Sequence, residues 1–323
     1  MPFSYLCPCI YHAYQYHKTM EQIKNFDQLV RHLASPQGAT DVQRRRVAVA
    51  FPHDTSTQQA LLMALKEGFI HALLVGSREQ IGDTFAAYND HVTYIDADSP
   101  ADACAKAVKL ARDGQADVLM KGQVNTDDLL RAVLSKTDGL LPPGRVLTHV
   151  TCAHIQEHGD QLLFCSDVAV IPHPTADQRR EQLKYILGIC HTMGINEPRV
   201  GLINCTEKVN EKHFPFTVEY KELIAEAQRG DFGPCIVDGP LDLKTCFSPE
   251  ALHKKGIDSP LEGRADAIIF PDIQAGNVFY KTITCFCHTE TAAILCGPSV
   301  PVVLPSRGDS PQNKFYSLAL ASL

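Results

Sequence analysis

The chain has 323 residues, of which 45% are hydrophobic and 21% are charged, and its formal net charge is -7 at pH 7. This composition is typical of a globular protein of about two domains and excludes a chain that is disordered along most of its length. The acidic balance argues against nucleic acid as a main partner, because proteins that bind nucleic acid usually carry a basic surface.

Residues 1–19 are rich in aromatic side chains and match no common targeting or metal-binding pattern. Their cysteines and histidines are Cys7, Cys9, His12 and His17. A signal peptide would have a basic start and a continuous apolar core, and the cysteine and histidine spacing fits no common zinc module. We therefore expect an extension that precedes a domain beginning near Met20.

From Arg46 onward, short apolar runs alternate with helical patterns. The predicted strands of this part are Val47–Phe51, His71–Val75, Val92–Ile95 and Asp117–Met120. The predicted helices are Gln58–Glu67, Pro100–Arg112 and Thr126–Ser135. The second helix has Ser99 as its N-cap and Pro100 at its first position. Strands separated by single helices imply right-handed crossovers and a parallel sheet, so this half is predicted to be doubly wound.

Two prolines and a glycine within Leu140–Gly144 predict a boundary. The next predicted strands, Val146–Cys152 and Gln161–Ile171, are close in sequence, so we expect some antiparallel pairing. Alternation then resumes. The remaining predicted elements are helices Thr175–Thr192, Phe216–Gln228, Pro249–Lys254 and Pro311–Leu320, the last capped by Ser310, and strands Val200–Ile203, Cys235–Val237, Ala265–Phe270, Ala292–Leu295 and Val302–Leu304.

The stretch Arg264–Lys281 predicts a strand, a turn and a helix where a ligand can bind. An apolar run ends at Pro271, and a helix is predicted to start at Gly276-Asn277, which places Lys281 about one turn into it. Ligands bind outside the carboxyl ends of strands in open α/β sheets, and a helix N-terminus there offers free N–H groups to an anion. The corner is thus a candidate phosphate site, although an ordinary corner with a solvated lysine explains the same spacing.

The chain contains no GxGxxG after its first strand, no GxxxxGK[ST] and no GxSxG motif. It offers instead basic and hydroxyl residues at strand ends, which suit a polyanionic substrate but would each also suit a solvated surface. They are Lys121, Arg131, Lys281, Ser306 and Arg307. The 12 cysteines are scattered, many of them in apolar runs, which indicates reduced thiols in a cytoplasmic protein. No apolar run approaches the roughly 20 residues needed to cross a bilayer, so no membrane partner is expected.

Four stretches of the chain carry a family resemblance. They are MKGQVNTDDLLRAVL (Met120–Leu134), IVDGPLDL (Ile236–Leu243), KKGIDSPLEGRADAIIFPDIQAGNVFYK (Lys254–Lys281) and PVVLPSRGDSPQNKFYSLALA (Pro301–Ala321). Together they resemble the phosphate acetyltransferase/phosphate butyryltransferase family, in the same order and from about Arg46 to the last residue. The PDIQAGNVFYK and SRGDS segments are the most specific, and DGPLDL, KKGI and KFYSLALA look more like the butyryl branch.

The resemblance implies direct acyl transfer in a ternary complex, acyl-CoA plus phosphate giving acyl phosphate plus CoA, with no permanently bound cofactor and no metal. It implies two doubly wound α/β domains that flank a cleft, as in isocitrate/isopropylmalate dehydrogenases. Domain one is expected at residues 1–148 plus 299–323, with 1–19 as an extension, and domain two at 149–298. A cytoplasmic homo-oligomer is the family expectation.

Site residues are carried over from the same segments. Ser306 and Arg307 match the family's Ser-Arg pair, which implies Arg307 on the phosphate and Ser306 near the reacting acyl group. The residues assigned to phosphate or CoA are Lys121, Arg131, Asn277, Lys281 and Arg307.

One position departs from the acetyl branch, which has an aspartate thought to deprotonate the CoA thiol where this chain has Asn313. An amide cannot act as a base at neutral pH. Asp309, which follows Ser306 closely, is the candidate base, but its carboxylate could instead face the free N–H groups of the final helix. A thiol with a pKa of about 8.5 needs only modest help, so a missing base costs less than it would for an alcohol.

Two other functions and the acyl chain stay open. A metal- and NAD(P)-dependent dehydrogenase of the same fold would use His154, His158, Asp167 and His173. Such an enzyme has no reason to keep Ser306-Arg307. A non-catalytic CoA-binding module would explain the missing base. Acetyl and butyryl differ by two methylenes, each worth only about 1–3 kcal/mol, so one side chain can decide between them.

Overall fold

The computed structural model describes residues 21–34, 44–306 and 308–323. The predicted extension at 1–19 and its cysteines and histidines lie outside the described residues, and so does Arg307. The chain divides into two compact units. The split unit contains Phe26–Leu147 and Glu290–Leu323, and the middle unit contains residues 21–25 and Thr148–Thr289.

Eleven strands lie within the described residues, and most of them coincide with the predicted apolar runs. They are β1 Arg45–Ala50, β2 Ile70–Val75, β3 Val92–Ile95, β4 Val118–Lys121, β5 Thr148–Ile155, β6 Leu162–Ser166, β7 Arg199–Ile203, β8 Ile236–Leu241, β9 Ala267–Ile269, β10 Thr289–Cys296 and β11 Val302–Val303.

The α-helices of the described part include three that were not predicted, α1, α3 and α8. The set is α1 Phe26–Ala34, α2 Thr55–Glu67, α3 Arg78–Ile81, α4 Pro100–Arg112, α5 Thr126–Val133, α6 Ala176–Thr192, α7 Phe216–Gln228, α8 Leu243–Phe247, α9 Pro249–Lys255, α10 Ile273–Phe286 and α11 Pro311–Ala321. Two of them, α3 and α8, have five residues or fewer and are too short to show a helical period, whereas α1 has its buried apolar residues Phe26, Leu29, Val30 and Leu33 at helical spacing, a signal that the sequence reading missed. No helix of the described ranges is long and apolar enough to cross a membrane.

In the split unit the strands lie in the order β3-β2-β1-β4-β11-β10. All neighbours are parallel except β10, which runs antiparallel to β11. The centre of this sheet is fully apolar: Val47, Leu74 and Leu119 are all completely buried. The predicted parallel α/β organisation of this part is confirmed, and the chain returns to it with β10, β11 and α11 after the middle unit is complete.

In the middle unit the order is β5-β6-β9-β7-β8, with β5 antiparallel to β6 and the other pairs parallel. The expected antiparallel pairing is thus confirmed. The predicted strand Gln161–Ile171 was too long, because β6 ends at Ser166 and the Asp167 carboxylate then accepts N–H groups of the following loop, including that of Val170 at 2.9 Å. Residues of β6, β9 and the flanking loops form one buried apolar cluster.

Local signals in the sequence set most helix starts correctly. Ser99 caps α4 with Pro100 at the first position, and Ser310 caps α11 by accepting the Asn313 N–H at 3.1 Å. The start of α10 was predicted wrongly at Gly276-Asn277. The helix begins at Ile273, because the Asp272 side chain accepts the Ala275 N–H at 2.9 Å and caps it.

Candidate active site

Three loops of the split unit leave the same edge of its sheet. Strand β4 lies between β1 and β11, and all three are parallel. Ala50 pairs with Lys121, and Val303 pairs with Met120, so the three strands end at about the same level. The loops that follow them therefore start side by side, at the kind of edge where α/β proteins bind ligands. We call this the carboxyl edge of the split unit.

Lys121 is the last residue of β4 and brings a positive charge to this edge. Its residue is only 3% exposed, and its Nζ donates to the Gly122 carbonyl oxygen at 3.4 Å. The next position must be glycine, because a Cβ on Gly122 would lie 2.5 Å from the Phe51 carbonyl oxygen in the loop after β1. An ammonium group shielded from water interacts with an anion more strongly than an exposed one does.

The turn after β11 presents an exposed hydroxyl, that of Ser306. The Asp309 carboxylate accepts the Ser306 N–H at 2.7 Å, and the Asp309 N–H in turn donates to the Ser306 carbonyl at 3.2 Å. The Gly308 N–H donates to Ser306 Oγ at 3.4 Å, which leaves the hydroxyl proton free to point elsewhere. Asp309 closes this turn, while the cap of α11 is supplied by Ser310.

The side chain of Asn313 makes a hydrogen bond between a helix and a strand. Its side-chain oxygen accepts the Thr291 N–H at 3.3 Å and so joins the first turn of α11 to β10. An amide in this role adds a neutral link between helix and strand.

Arg131 lies on α5, the helix that follows the Lys121 loop. Its side chain is 77% exposed and forms an ion pair with Asp128 at 3.1 Å. An exposed pair of this kind is worth about 0–1 kcal/mol, so the guanidinium can exchange the carboxylate for a phosphate at little cost.

The other two predicted binding residues belong to the middle unit. Asn277 donates from its side chain to the Val168 carbonyl at 3.1 Å. Lys281 lies in the third turn of α10, not the first, and its Nζ is 5.0 Å from the centre of the Tyr280 ring. The side chain that approaches the free N–H groups of α10 is the Asp272 carboxylate, which accepts the Ala275 N–H.

Sequence reasoning missed several polar groups that shape these edges. Arg179, which is 3% exposed, donates to Glu219 at 2.6 Å and to the Pro271 carbonyl at 3.0 Å, so it holds the corner between β9 and α10. In the split unit, Lys314 lies against Asp54 at the start of α2. The N-cap pattern Asp54-Thr55 was a detectable signal, but its distant lysine partner was not.

The dehydrogenase candidates do not form a common site. The two oxygens of Asp167 accept hydrogen bonds from the Thr148 hydroxyl at 2.7 Å and from the Ala169 N–H at 2.8 Å. His158 lies against Gln161 at 2.8 Å. Across residues 21–34, 44–306 and 308–323, no group of three or more histidine, cysteine or acidic side chains is arranged to hold a metal ion.

Comparison with known proteins identifies the relatives of the chain. A family model described as "Phosphate acetyl/butaryl transferase" matches residues 96–322. A phosphate butyryltransferase from Clostridium beijerinckii is 37% identical over 93% of this chain and 97% of its own length. A phosphate acetyltransferase from Thermotoga maritima is 34% identical over 86% of this chain and 95% of its own. The structure of a branched-chain phosphotransacylase from Enterococcus faecalis superposes with a TM-score of 0.75 at 29% identity, covering 86% of this chain and 97% of that one.

Proposed function

This chain belongs to the phosphate acetyl/butyryl transferase family, and we propose that it is a phosphate acyltransferase that prefers butyryl-CoA to acetyl-CoA. A phosphate oxygen attacks the thioester carbonyl, the new C–O bond forms, the C–S bond breaks, and CoA leaves as a thiolate that takes up a proton. The observation that carries this proposal is the Ser306–Asp309 turn, which follows β11, the strand paired with β4, whose last residue is the buried Lys121.

The side chains of this edge suit the charges of the reaction. The negative charge of phosphate or of the CoA phosphates would be neutralised by Lys121, Arg131 and Arg307. Asn277 and Lys281 are also proposed to contact phosphate or CoA. The carbonyl oxygen gains negative charge during attack, and the free proton of Ser306 Oγ is the proposed donor to it. A donor of this kind contributes about 3–4 kcal/mol to lowering the barrier.

Asp309 is the proposed proton acceptor when the reaction runs toward acyl-CoA. Its carboxylate is partly exposed and is held beside Ser306 through the Ser306 N–H. CoA thiol needs only modest activation, and the positive groups of the edge also favour its thiolate.

The preference for butyryl-CoA rests on relatives and sequence segments. Phosphate butyryltransferases of two Clostridium species are 36–37% identical to this chain, against 34% for the Thermotoga acetyltransferase. The family also supports three further proposals: a fold of the isocitrate/isopropylmalate-dehydrogenase type with domains at 1–148 plus 299–323 and at 149–298, a cytoplasmic homo-oligomer, and CoA thioester and phosphate as substrates without a resident cofactor.

A thiol-release assay tests the reaction directly. We expect CoA release that depends on phosphate, with a higher kcat/KM for butyryl-CoA than for the C2, C3 and C5 esters. Ser306→Ala should lower kcat, and Arg307→Ala should first raise KM for phosphate. Ser99→Ala, which removes only the cap of α4, is the control.

Three results would contradict the proposal. Release at the same rate without phosphate would indicate a hydrolase. Binding of CoA with no turnover of any C2–C5 ester would favour the non-catalytic module. Activity that requires NAD(P) and a divalent metal would favour the dehydrogenase.

A further inference from the structure

An ion pair with a buried lysine joins α11 to α2, the first helix after β1. Lys314, in the first turn of α11, is 4% exposed. Its Nζ donates to Asp54 Oδ1 and to Thr57 Oγ1, both at 3.2 Å. Asp54 is also the N-cap of α2, since the same oxygen accepts the Thr57 N–H at 2.8 Å. The starts of the two helices are therefore fastened together.

A second link lies next to the ion pair. The Ser56 hydroxyl donates to the Asp309 carbonyl oxygen at 3.2 Å. Asp309 thus has two roles in one residue, because its carbonyl is held by α2 while its carboxylate holds the Ser306 N–H. Any shift of α11 relative to α2 is passed through Asp309 to Ser306.

Asp54 carries its negative charge although it is partly buried. Burial tends to raise the pKa of Asp54, but the hydrogen bonds from Thr57 and the charge of Lys314 outweigh it, so the pKa lies below the ordinary value. The carboxylate is thus ionised at neutral pH and faces a buried ammonium group. The Lys314 ammonium group is shielded from water while the Asp54 side chain is 27% exposed, so separating the two helix starts would leave a buried charge without its partner.

We propose that the Lys314–Asp54 ion pair and the Ser56–Asp309 hydrogen bond form a positioning device that sets Ser306 at the carboxyl edge of the split unit. The proposal rests on the acyltransferase function. Ser306 is exposed and lies in a turn, so its place must be fixed from outside the turn. Misplacing a reacting group by about 1 Å can cost about 100-fold in rate. Lys314, Asp54 and Ser56 act through Asp309 and are positioning residues, not catalytic ones.

Lys314→Met tests the device by removing the charge while keeping most of the side-chain length. We expect kcat for phosphate-dependent CoA release to fall at least about tenfold, with KM for acyl-CoA and phosphate within about threefold of wild type. The matched control is Arg46→Met, which breaks the Arg46–Asp117 ion pair of 2.7 Å at the opposite end of β1 and should leave kcat unchanged. A kcat within about threefold for folded Lys314→Met would overturn the proposal.

A milder variant and a physical readout complete the test. Ser56→Ala removes only the link to Asp309, so it stays informative if Lys314→Met does not fold, and we expect kcat to fall about threefold to tenfold with an unchanged melting temperature. Hydrogen exchange of the Ser306 N–H should be faster in both variants and unchanged in Arg46→Met. If the Ser306 N–H exchanges at the wild-type rate in both variants, the positioning device is refuted, whether or not the wild type turns over any ester. If the N–H exchanges faster in both variants but the wild type turns over no ester, only the acyltransferase function is refuted.

Discussion

Both units are built mainly on parallel strands, but they use the polar side chains at the carboxyl ends of these strands differently. In the middle unit, Arg179 and Asn277 donate to backbone carbonyls and Asp167 accepts backbone N–H groups, so these side chains hold the edge itself together. In the split unit, Asp309 holds the turn that contains the exposed Ser306, and this turn follows the strand paired with β4, which ends in the buried Lys121. The carboxyl ends of parallel strands are expected ligand sites in both units. The hydrogen-bond partners of the polar side chains show the difference between them.

Lys121→Met should have the largest effect on activity, because it removes the buried charge at the carboxyl edge of the split unit, the proposed site. We expect kcat/KM to fall about 10²–10³-fold, the range seen when a preorganised electrostatic group is deleted. Steady-state kinetics with saturating phosphate and varied butyryl-CoA measures it. Lys66→Met, on the exposed last turn of α2, is the control. A fall in kcat/KM of less than about threefold would show that the buried charge of Lys121 does not distinguish the split unit from the middle unit in activity.

Two substitutions of Asp309 separate proton transfer from positioning. If Asp309 is the base, Asp309→Asn should lower kcat by about 10²-fold with KM for phosphate little changed. An asparagine oxygen can still accept the Ser306 N–H, so Asp309→Asn preserves the turn that Asp309→Ala destroys. A kcat for Asp309→Asn within about threefold, together with a large loss for Asp309→Ala, would assign Asp309 to positioning alone.

Gly276→Ala tests whether the edge of the middle unit is committed to packing. A Cβ at this position would lie 2.2 Å from the Asp167 carbonyl oxygen, a backbone atom that cannot rotate away. We expect a loss of about 1–3 kcal/mol in stability, seen as a lower melting temperature by calorimetry. Gln274→Ala, on the exposed side of the same helix, should leave the melting temperature unchanged. An unaltered melting temperature for Gly276→Ala would show that the helix shifts easily.

Lys281→Ala should have the smallest effect on activity. An exposed lysine contributes at most about 1 kcal/mol to binding an anion, so KM for phosphate or CoA should rise about twofold to fivefold at low salt with kcat unchanged. The difference should shrink as the salt concentration increases. Thr282→Ala, the exposed neighbour, provides the comparison. No change in either KM at low salt would exclude Lys281 from the site.

Local signals explain how much of this could be read from the sequence. Ser99 and Ser310 were correctly predicted as caps because a cap depends on residues within one turn. The parallel direction of the strands was predicted from the alternation of strands and helices, but their order in the sheet was not. The start of α10 was predicted wrongly because Gly276 was interpreted as the end of a turn. It lies within the helix, at a position where the backbone closely approaches Asp167. The Lys314–Asp54 pair joins residues 260 positions apart, and no local pattern indicates such a partner.

Strand β11, only two residues long, lies between β4 and β10. During synthesis β4 leaves the ribosome long before β11, by about 10–40 s at about 5–20 residues per second. Throughout that delay one side of β4 presents unpaired N–H and C=O groups, which can template pairing with another chain. The nascent protein therefore exposes one side of β4 to misassembly until β11 pairs with it, and the carboxyl edge of the split unit, where the loops after β4 and β11 start side by side, is among the last parts to be completed.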